Sequence, residues 1–254
     1  MSKTWLLSLA LLTSFHVHAN KQTNRSKDIN APSPWQSQIE FGYQSHSGNT
    51  DSEALNTRIK GEYTRGRHRT NGEWRFYKLD KNGKENKRQS SYTLQSDYKL
   101  GPKMYLYGSF RGTDSRYSAY FKDYTFSGGL GYQLTNTDTL LVEIEAGPGY
   151  RYQEPNLDEI GSNEVVFPNL VREPIFRSNL KTEWQILRNF KLSVDATLVG
   201  GESNTRLDTD ISAINNITED IALKVSQSRQ YHNQVPEGLS KSDSVLAVSL
   251  VFLF

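Results

Sequence analysis

The last nine residues, Leu-Ala-Val-Ser-Leu-Val-Phe-Leu-Phe at positions 246–254, predict a strand that stays apolar to the end of the chain. Successive side chains of a strand point to opposite sides. One face of this strand carries Leu246, Val248, Leu250, Phe252 and Phe254. An exposed, unpaired apolar strand is an aggregation hazard in water. Pairing the strand with the first strand of a barrel removes that hazard, so the segment favours a closed β-barrel.

Upstream of this strand, apolar and polar residues alternate as far back as Trp35, with hardly any helical spacing. In one segment, for example, Leu192 and Val194 alternate with Ser193 and Asp195. Period-two alternation is typical of strands with one apolar face. We count about twelve such strands and predict an all-β fold: a closed antiparallel transmembrane β-barrel with an up-and-down meander over residues 35–254.

The predicted connections differ in length between the two ends of the barrel. Short turns are predicted after the even-numbered strands, at 65–68, 101–102, 136–137, 187–189 and 219–220. Longer loops are predicted after the odd-numbered strands, at 47–50, 81–87, 116–123, 154–170, 201–205 and 231–240. Outer-membrane barrels have short periplasmic turns and longer extracellular loops. The pattern therefore favours the outer membrane of a Gram-negative bacterium.

The first nineteen residues have the features of a secretory signal peptide. A short positive start at Lys3 precedes an apolar run, and Val17-His18-Ala19 places small residues where signal peptidase cleaves. Residues 20–34 contain Asn, Ser, Lys and two prolines without periodicity, which predicts a flexible lead-in.

Composition excludes several classes of protein. After residue 19 no stretch is long and apolar enough for a membrane-spanning helix. The absence of cysteine excludes disulfide scaffolds, Cys-ligated zinc, a thiol nucleophile and a lipid-modified N-terminal cysteine. A net charge of +2 does not indicate the strongly basic surface that is typical of nucleic-acid-binding proteins. No dinucleotide, phosphate-loop or calcium-loop pattern is present, so no cofactor is expected.

Alternation alone does not separate a membrane barrel from a soluble barrel or sandwich, because only the direction of the apolar face differs. In a membrane barrel the polar face lines the lumen. The candidate lumen-lining residues are Arg58, Lys60, Glu62, Arg75, Asp97, Glu143, Glu145, Lys181, Glu183, Lys191, Asp195, Asp208, Asp210 and Lys224. Their charges are nearly balanced. If these charges pair across the lumen, we expect them to brace the wall as struts and to leave little room for conduction. If they segregate into rows, we expect a narrow channel for small polar solutes.

Two further features give local predictions. Pro148 cannot donate a ladder hydrogen bond, so we expect it at the outer rim, at a bulge with Gly147 and Gly149. Aromatic residues near strand ends are expected to form girdles at the membrane interfaces. The predicted girdle residues are Trp35, Tyr63, Trp74, Tyr98, Tyr105, Trp184 and Phe254.

Several motifs resemble a known family. The alternating segment 246–254 with its terminal Phe looks like the insertion signal of bacterial outer-membrane proteins. More narrowly, the motifs at 47–51 (SGNTD), 105–108 (YLYG), 129–132 (GLGY) and 145–151 (EAGPGYR) resemble the YdiY-like salt-induced outer-membrane protein family, a domain of unknown function. The resemblance runs from about Trp35 to Phe254. It implies an outer-membrane barrel and transfers no catalytic or binding residue.

Three functional hypotheses follow. The leading one is a narrow pore for small polar solutes or ions, with a link to salt or envelope stress that the family resemblance implies. The second is a non-conducting structural or adhesive barrel whose loop 154–170 contacts something outside the cell. The third is an outer-membrane hydrolase built on His46 and His232, which no family motif supports; we therefore expect no enzyme.

The expected partners follow from the predicted location in the outer membrane. They are outer-membrane lipid, lipopolysaccharide and, during insertion, the barrel-assembly machinery. We expect no nucleic acid and a monomer.

Overall fold

A computed structural model describes residues 33–46, 52–116, 120–156, 170–235 and 240–254; for residues 44–46 it describes only the backbone. The predicted signal peptide and nearly all of the predicted lead-in lie outside these ranges and stay predictions. Among the described residues, no helix is long and apolar enough to cross a membrane. The strands are β1 Trp35–His46, β2 Ser52–Arg65, β3 His68–Lys81, β4 Lys84–Lys99, β5 Met104–Ser115, β6 Tyr120–Asn136, β7 Leu140–Pro155, β8 Val171–Leu187, β9 Phe190–Gly201, β10 Thr205–Asn216, β11 Ile221–His232 and β12 Ser242–Leu253.

The twelve strands form one closed antiparallel barrel. Each strand pairs with its neighbours in sequence, and β12 closes the ring against β1. Phe41 pairs with Leu250, and Ser37 exchanges backbone hydrogen bonds of 2.9 and 3.1 Å with the terminal Phe254. The predicted meander and its strand number are confirmed. The apolar last strand is paired on both sides at its C-terminal end.

The barrel wall is apolar outside and polar inside. The exposed side chains include Phe126 at 64% and Leu246 at 70%, whereas Arg151 and Gln153 are fully buried. A water-soluble protein buries its apolar side chains and rarely exposes so continuous an apolar surface. The alternation therefore directs apolar residues outward, as in a transmembrane barrel.

The two rims differ less than predicted. The turn rim, which carries the chain ends of the barrel and the turns after even-numbered strands, has only short connections, such as Gly66-Arg67 between β2 and β3. The opposite rim, here called the loop rim, is mixed. The predicted loop 81–87 is wrong, because β4 begins at Lys84 and the connection is the two-residue turn Asn82-Gly83. Both turn residues have positive φ, 49° and 73°, as a tight hairpin turn of type I′ requires.

The prediction for Pro148 is also wrong. Pro148 lies in the middle of β7, which continues to Pro155, and no register shift occurs at this position. The ladder to β6 is interrupted between the pairs Ser127–Gly149 and Leu130–Ala146 and resumes in the same register. Pro148 has no backbone N–H to donate to the ladder. The wall accommodates it because glycines on β6 and β7 let the two backbones approach closely, with Gly129 facing Gly147.

Candidate functional site

The lumen contains a cavity of about 370 Å³ that is lined mostly by polar side chains. All of the candidate lumen residues line this cavity except Asp97, which lies at its edge and pairs with the lining residue Arg69. The sequence pattern had placed these residues on one face. Their arrangement into networks is given only by the three-dimensional structure.

A central network crosses the lumen at mid-height. Arg58 donates from Nη1 to Glu40 (2.9 Å) and from Nη2 to Glu73 (2.6 Å). Arg75 also pairs with Glu73, and its Nη1 lies 2.7 Å from Oδ2 of Asp210 on β10, across the barrel. Lys224 of β11 pairs with Glu40 at 3.0 Å. The central network therefore ties β1, β2 and β3 to β10 and β11.

A second network lies close to the turn rim. Arg69 of β3 donates to Asp97 (2.7 Å) and, across the lumen, to both carboxylate oxygens of Glu143 on β7 (3.1 and 3.2 Å). Gln133 donates to the same Glu143 at 2.7 Å. A charge buried without partners costs several kcal/mol. These contacts give the carboxylates of Asp97 and Glu143 hydrogen-bonding and charged partners in the lumen.

A third network lies below the loop rim. Arg206 of β10 pairs with Asp123 of β6 and, at 3.0 Å, with Asp208. Asp208 also pairs with Arg111 of β5 at 3.2 Å. The Arg206–Asp123 and Arg111–Asp208 pairs join strands on opposite sides of the barrel. They narrow the lumen at its loop-rim end.

The loop between β9 and β10 is held against this network. Arg151 donates from Nη1 to the backbone oxygen (3.2 Å) and to Oδ1 (2.6 Å) of Asn204. Glu173 accepts from the backbone N–H (2.8 Å) and the hydroxyl (2.6 Å) of Ser203. Arg151 and Glu173 also form an ion pair at 3.4 Å. We call these four residues the loop clamp.

A group of lysines faces the same cavity. Lys181 and Lys191 both pair with Glu183, at 3.0 and 3.5 Å. Lys60, from the opposite wall, lies within electrostatic range of Lys181 and Glu183. Within the part of the chain that the structure describes, the Lys60 ammonium has no hydrogen bond or ion pair. Lys60 therefore differs from Lys181 and Lys191, which both pair with Glu183.

Three of the family-like motifs, at 105–108, 129–132 and 145–151, meet in one patch of the wall formed by β5, β6 and β7. The fourth, at 47–51, lies outside the described residues. Tyr105, Gly131 and Glu145 are consecutive partners across the three strands. A side chain at Gly131 would collide with the ring of Tyr105, whose hydroxyl donates to Glu145 at 3.0 Å. Arg177 pairs with Glu145 at 2.8 Å and lies over the ring of Tyr107. Tyr105 was predicted to belong to an interfacial girdle, and that prediction is wrong: its ring is 2% exposed and lies inside.

Sequence analysis missed several lumen charges. Asp123 was assigned to the loop 116–123, and Arg206 was assigned neither to the loop 201–205 nor to the strand after it, but β6 and β10 both begin earlier than predicted. Arg69 and Arg111 lie in the two segments with the least regular alternation. The available signal was the period of two along a single strand: Arg69 is in phase with Arg75 on β3, and Arg206 is in phase with Asp208 on β10.

The two histidines of the hydrolase hypothesis do not form a described site. The imidazole of His232 is tilted toward the ring of Tyr120, with 6.1 Å between ring centroids, and lies beside the network below the loop rim. The side chain of His46 is outside the described part of the structure. Within the described ranges, no group of three or more His, Cys, Asp or Glu side chains is placed to hold a metal ion.

The predicted insertion signal lies on the outer surface of β12. Leu246, Val248 and Phe254 are exposed at 70%, 59% and 75%, and Leu250 and Phe252 face the same side. Of the predicted girdle, Trp35, Trp74, Tyr98 and Trp184 are also exposed outside. The rings of Trp35 and Tyr63 contact each other in a tilted arrangement next to the turn rim, with 4.6 Å between their centroids.

Comparisons with known proteins agree with this geometry. Among solved structures, the COG4313 outer membrane channel from Pseudomonas putida F1 is similar over 92% of this chain and 100% of its own, with a TM-score of 0.50 and 11% identity. The NanC porin is similar over 85% of this chain and 97% of its own, with a TM-score of 0.48 and 12% identity. The first of these supports the barrel fold.

Sequence comparison defines the family. The uncharacterized protein YdiY of Escherichia coli (strain K12) is 26% identical over 214 residues, which are 82% of this chain and 78% of that protein. The model of a family described as a protein of unknown function, DUF481, matches residues 39–254. The resemblance drawn from the motifs is confirmed, and the chain belongs to the DUF481 family.

Proposed function

We propose that this protein is an outer-membrane β-barrel that forms a narrow pore for small polar solutes or ions. The observation that supports this most is the polar cavity of about 370 Å³ inside a wall that is apolar outside. A barrel of twelve strands is wider than the eight-stranded barrels that side chains fill, and narrower than wide porins. The lining suits water and polar solutes.

The cross-lumen ion pairs determine the proposed width of the path through the lumen. Arg75–Asp210, Arg69–Glu143 and Arg206–Asp123 each join strands four or five places apart in the ring. Guanidinium and carboxylate groups held in this way narrow the path but leave polar surfaces toward the remaining space. We therefore propose passage of ions and small solutes only.

The proposal includes the membrane context. The loop rim faces the cell exterior and the turn rim faces the periplasm. The barrel acts as a monomer in contact with outer-membrane lipid and lipopolysaccharide. The segment 246–254 is its recognition signal for the barrel-assembly machinery, and residues 1–19 direct export. No enzymatic, cofactor or nucleic-acid role enters the proposal.

Single-channel recording of the purified protein in planar bilayers tests the pore. We expect small, discrete conductance steps, and larger steps when Arg75→Ser and Asp210→Ser together open the central network. Ile211→Val is the matched control, because Ile211 follows Asp210 but is exposed on the outer wall. Absence of conductance steps in the native protein would overturn the pore.

The cross-lumen pairs also favour a second candidate, a non-conducting structural barrel in which they act as struts. In that case the double variant conducts while the native protein does not.

An adhesive role of loop 154–170 is a separate hypothesis; residues 157–169 lie outside the described part of the chain. Deleting them should abolish surface binding and leave the conductance unchanged if that role is correct.

The link to salt or envelope stress rests on the family resemblance. It is tested by measuring the amount of the protein in outer-membrane fractions after an increase in salt. An unchanged amount would remove the link and leave the pore proposal intact.

A further inference from the structure

A second cavity, of about 400 Å³, lies on the outside of the barrel below the loop rim. Phe76, Ser90 and Asp114 are consecutive partners on β3, β4 and β5 and form its floor. Their sequence neighbours Arg75, Gln89 and Thr113 line the lumen. Alternation therefore directs this floor toward lipid. Phe121, Arg88 and Arg116 complete the rim of the cavity, which we call the outer cleft.

The height of the outer cleft is marked by aromatic residues. One row closer to the turn rim, Trp74, Tyr92, Gly112, Tyr124 and Tyr152 are consecutive partners from β3 to β7. Tyr124 and Tyr152 stack at 6.1 Å, as do Trp74 and Phe76. Aromatic girdles of this kind flank the apolar band of outer-membrane barrels. The outer cleft lies on the loop-rim side of this aromatic row, and its residues Asp114 and Arg116 lie at the loop-rim end of β5.

Two arginines at the cleft share one carboxylate. The Glu85 side chain lies 3.7 Å from Arg88 and 3.6 Å from Arg116, which is longer than a hydrogen bond. The arginine side chains are 40% and 57% exposed. The acidic Asp114 accepts a hydrogen bond of 2.6 Å from the hydroxyl of Tyr124. Each guanidinium has five donors, so both retain donors for a further anion.

We propose that the outer cleft binds the phosphorylated, acylated glycolipid of the outer leaflet, the lipid A part of lipopolysaccharide. Arg88 and Arg116 bind a phosphate, since guanidinium groups match phosphate oxygens in pairs of hydrogen bonds. Phe76 and Phe121 pack against an acyl chain. This site requires the barrel to sit in the membrane with its loop rim outward, but it does not require a conducting lumen.

The test is binding of lipid A to the purified full-length protein in detergent, measured by native mass spectrometry. Bisphosphorylated lipid A is compared with dephosphorylated lipid A and with phosphatidylglycerol. We expect binding of lipid A to weaken about ten-fold or more when Arg88→Gln and Arg116→Gln are combined, because charge-assisted hydrogen bonds are lost. Arg188→Gln, at the exposed turn between β8 and β9, is the matched control and should bind as the native protein does.

Three results would overturn the proposal. They are equal binding of dephosphorylated lipid A, equal binding of phosphatidylglycerol, and unchanged affinity in the double variant. The first two comparisons use the native protein, so a folding defect of the variant does not affect them. Phe121→Ala should weaken lipid A binding without removing it, and unchanged binding there would overturn the acyl-chain contact. Single-channel conductance should be the same in all these variants, which separates this site from the pore.

Discussion

The wall formed by β5 to β8 and the seam between β12 and β1 close the same barrel in different ways. In the wall, β7 and β8 pair from Leu140–Trp184 to Gln153–Val171. At the seam, the backbone pairs found among the described residues run from Ser37–Phe254 to Phe41–Leu250, although β1 continues to His46 and β12 begins at Ser242. The seam is therefore paired only in its half near the turn rim.

The side chains at these two regions differ as well. The inner face of the wall carries buried charges such as Glu145 and Arg177, together with glycines that bring β6 and β7 into backbone contact. The inner face of β12 instead places Val245 and Ala247 at the lumen cavity, and Val251 is buried. We infer that the wall gains rigidity from close packing and ion pairs. The seam has a short ladder, apolar contacts on β12 and one buried ion pair, Glu40–Lys224, that joins β1 to β11 across it.

The largest difference is expected for glycine substitutions in the wall. A Cβ at Gly147 would collide with backbone atoms of Gly128 and Gly129, which cannot move without separating β6 from β7. We expect Gly147→Val to prevent formation of the barrel. Gly108→Val is the control, because nothing lies within 4 Å of its added Cβ. Heat-modifiable electrophoretic mobility reports the folded barrel, and equal folding of both variants would contradict the rigid wall.

A smaller loss is expected when a wall charge is removed. Glu145 accepts from Gln95 (2.7 Å), Tyr105 (3.0 Å) and Arg177 (2.8 Å). Glu145→Ala leaves the buried Arg177 without its carboxylate and should lower the free energy of unfolding by about 3–5 kcal/mol.

The matched control for that change is Glu62→Ala. Glu62 accepts one exposed hydrogen bond, from Thr64 at 3.3 Å, so its loss should cost less than about 1 kcal/mol. Urea unfolding in lipid vesicles measures both. Similar losses for the two variants would show that lumen charges do not stabilise the wall.

The smallest effect is expected at the end of the seam. An added Cβ at Gly42 would lie 3.0 Å from Oγ of Ser249 and from the backbone oxygen of Val248. The ladder ends one residue earlier, so the strands can separate slightly at this point. Gly42→Ala should lower the free energy of unfolding by about 1 kcal/mol or less. A loss as large as that of Glu145→Ala would mean that the seam is as rigid as the wall.

Much of the fold was accessible from the sequence because alternation has a direct structural meaning. Leu250 and Phe252 mark the lipid face of β12, and Arg58 and Lys60 mark the lumen face of β2. Errors occurred where alternation carries no information, at strand ends and turns. Asp123 and Arg206 were lost in this way, and the two-residue turn Asn82-Gly83 was assigned to a long loop.

The chain by itself therefore determined the number of strands, their faces and the closed meander, since a period of two follows from the geometry of a single strand. Only the tertiary structure decided which charges meet across the lumen. Arg75 and Asp210 are brought within 2.7 Å by the curvature of the closed barrel and the register of every strand between them. The outer cleft depends on the same cause, because Phe76, Ser90 and Asp114 become neighbours only when three strands are aligned.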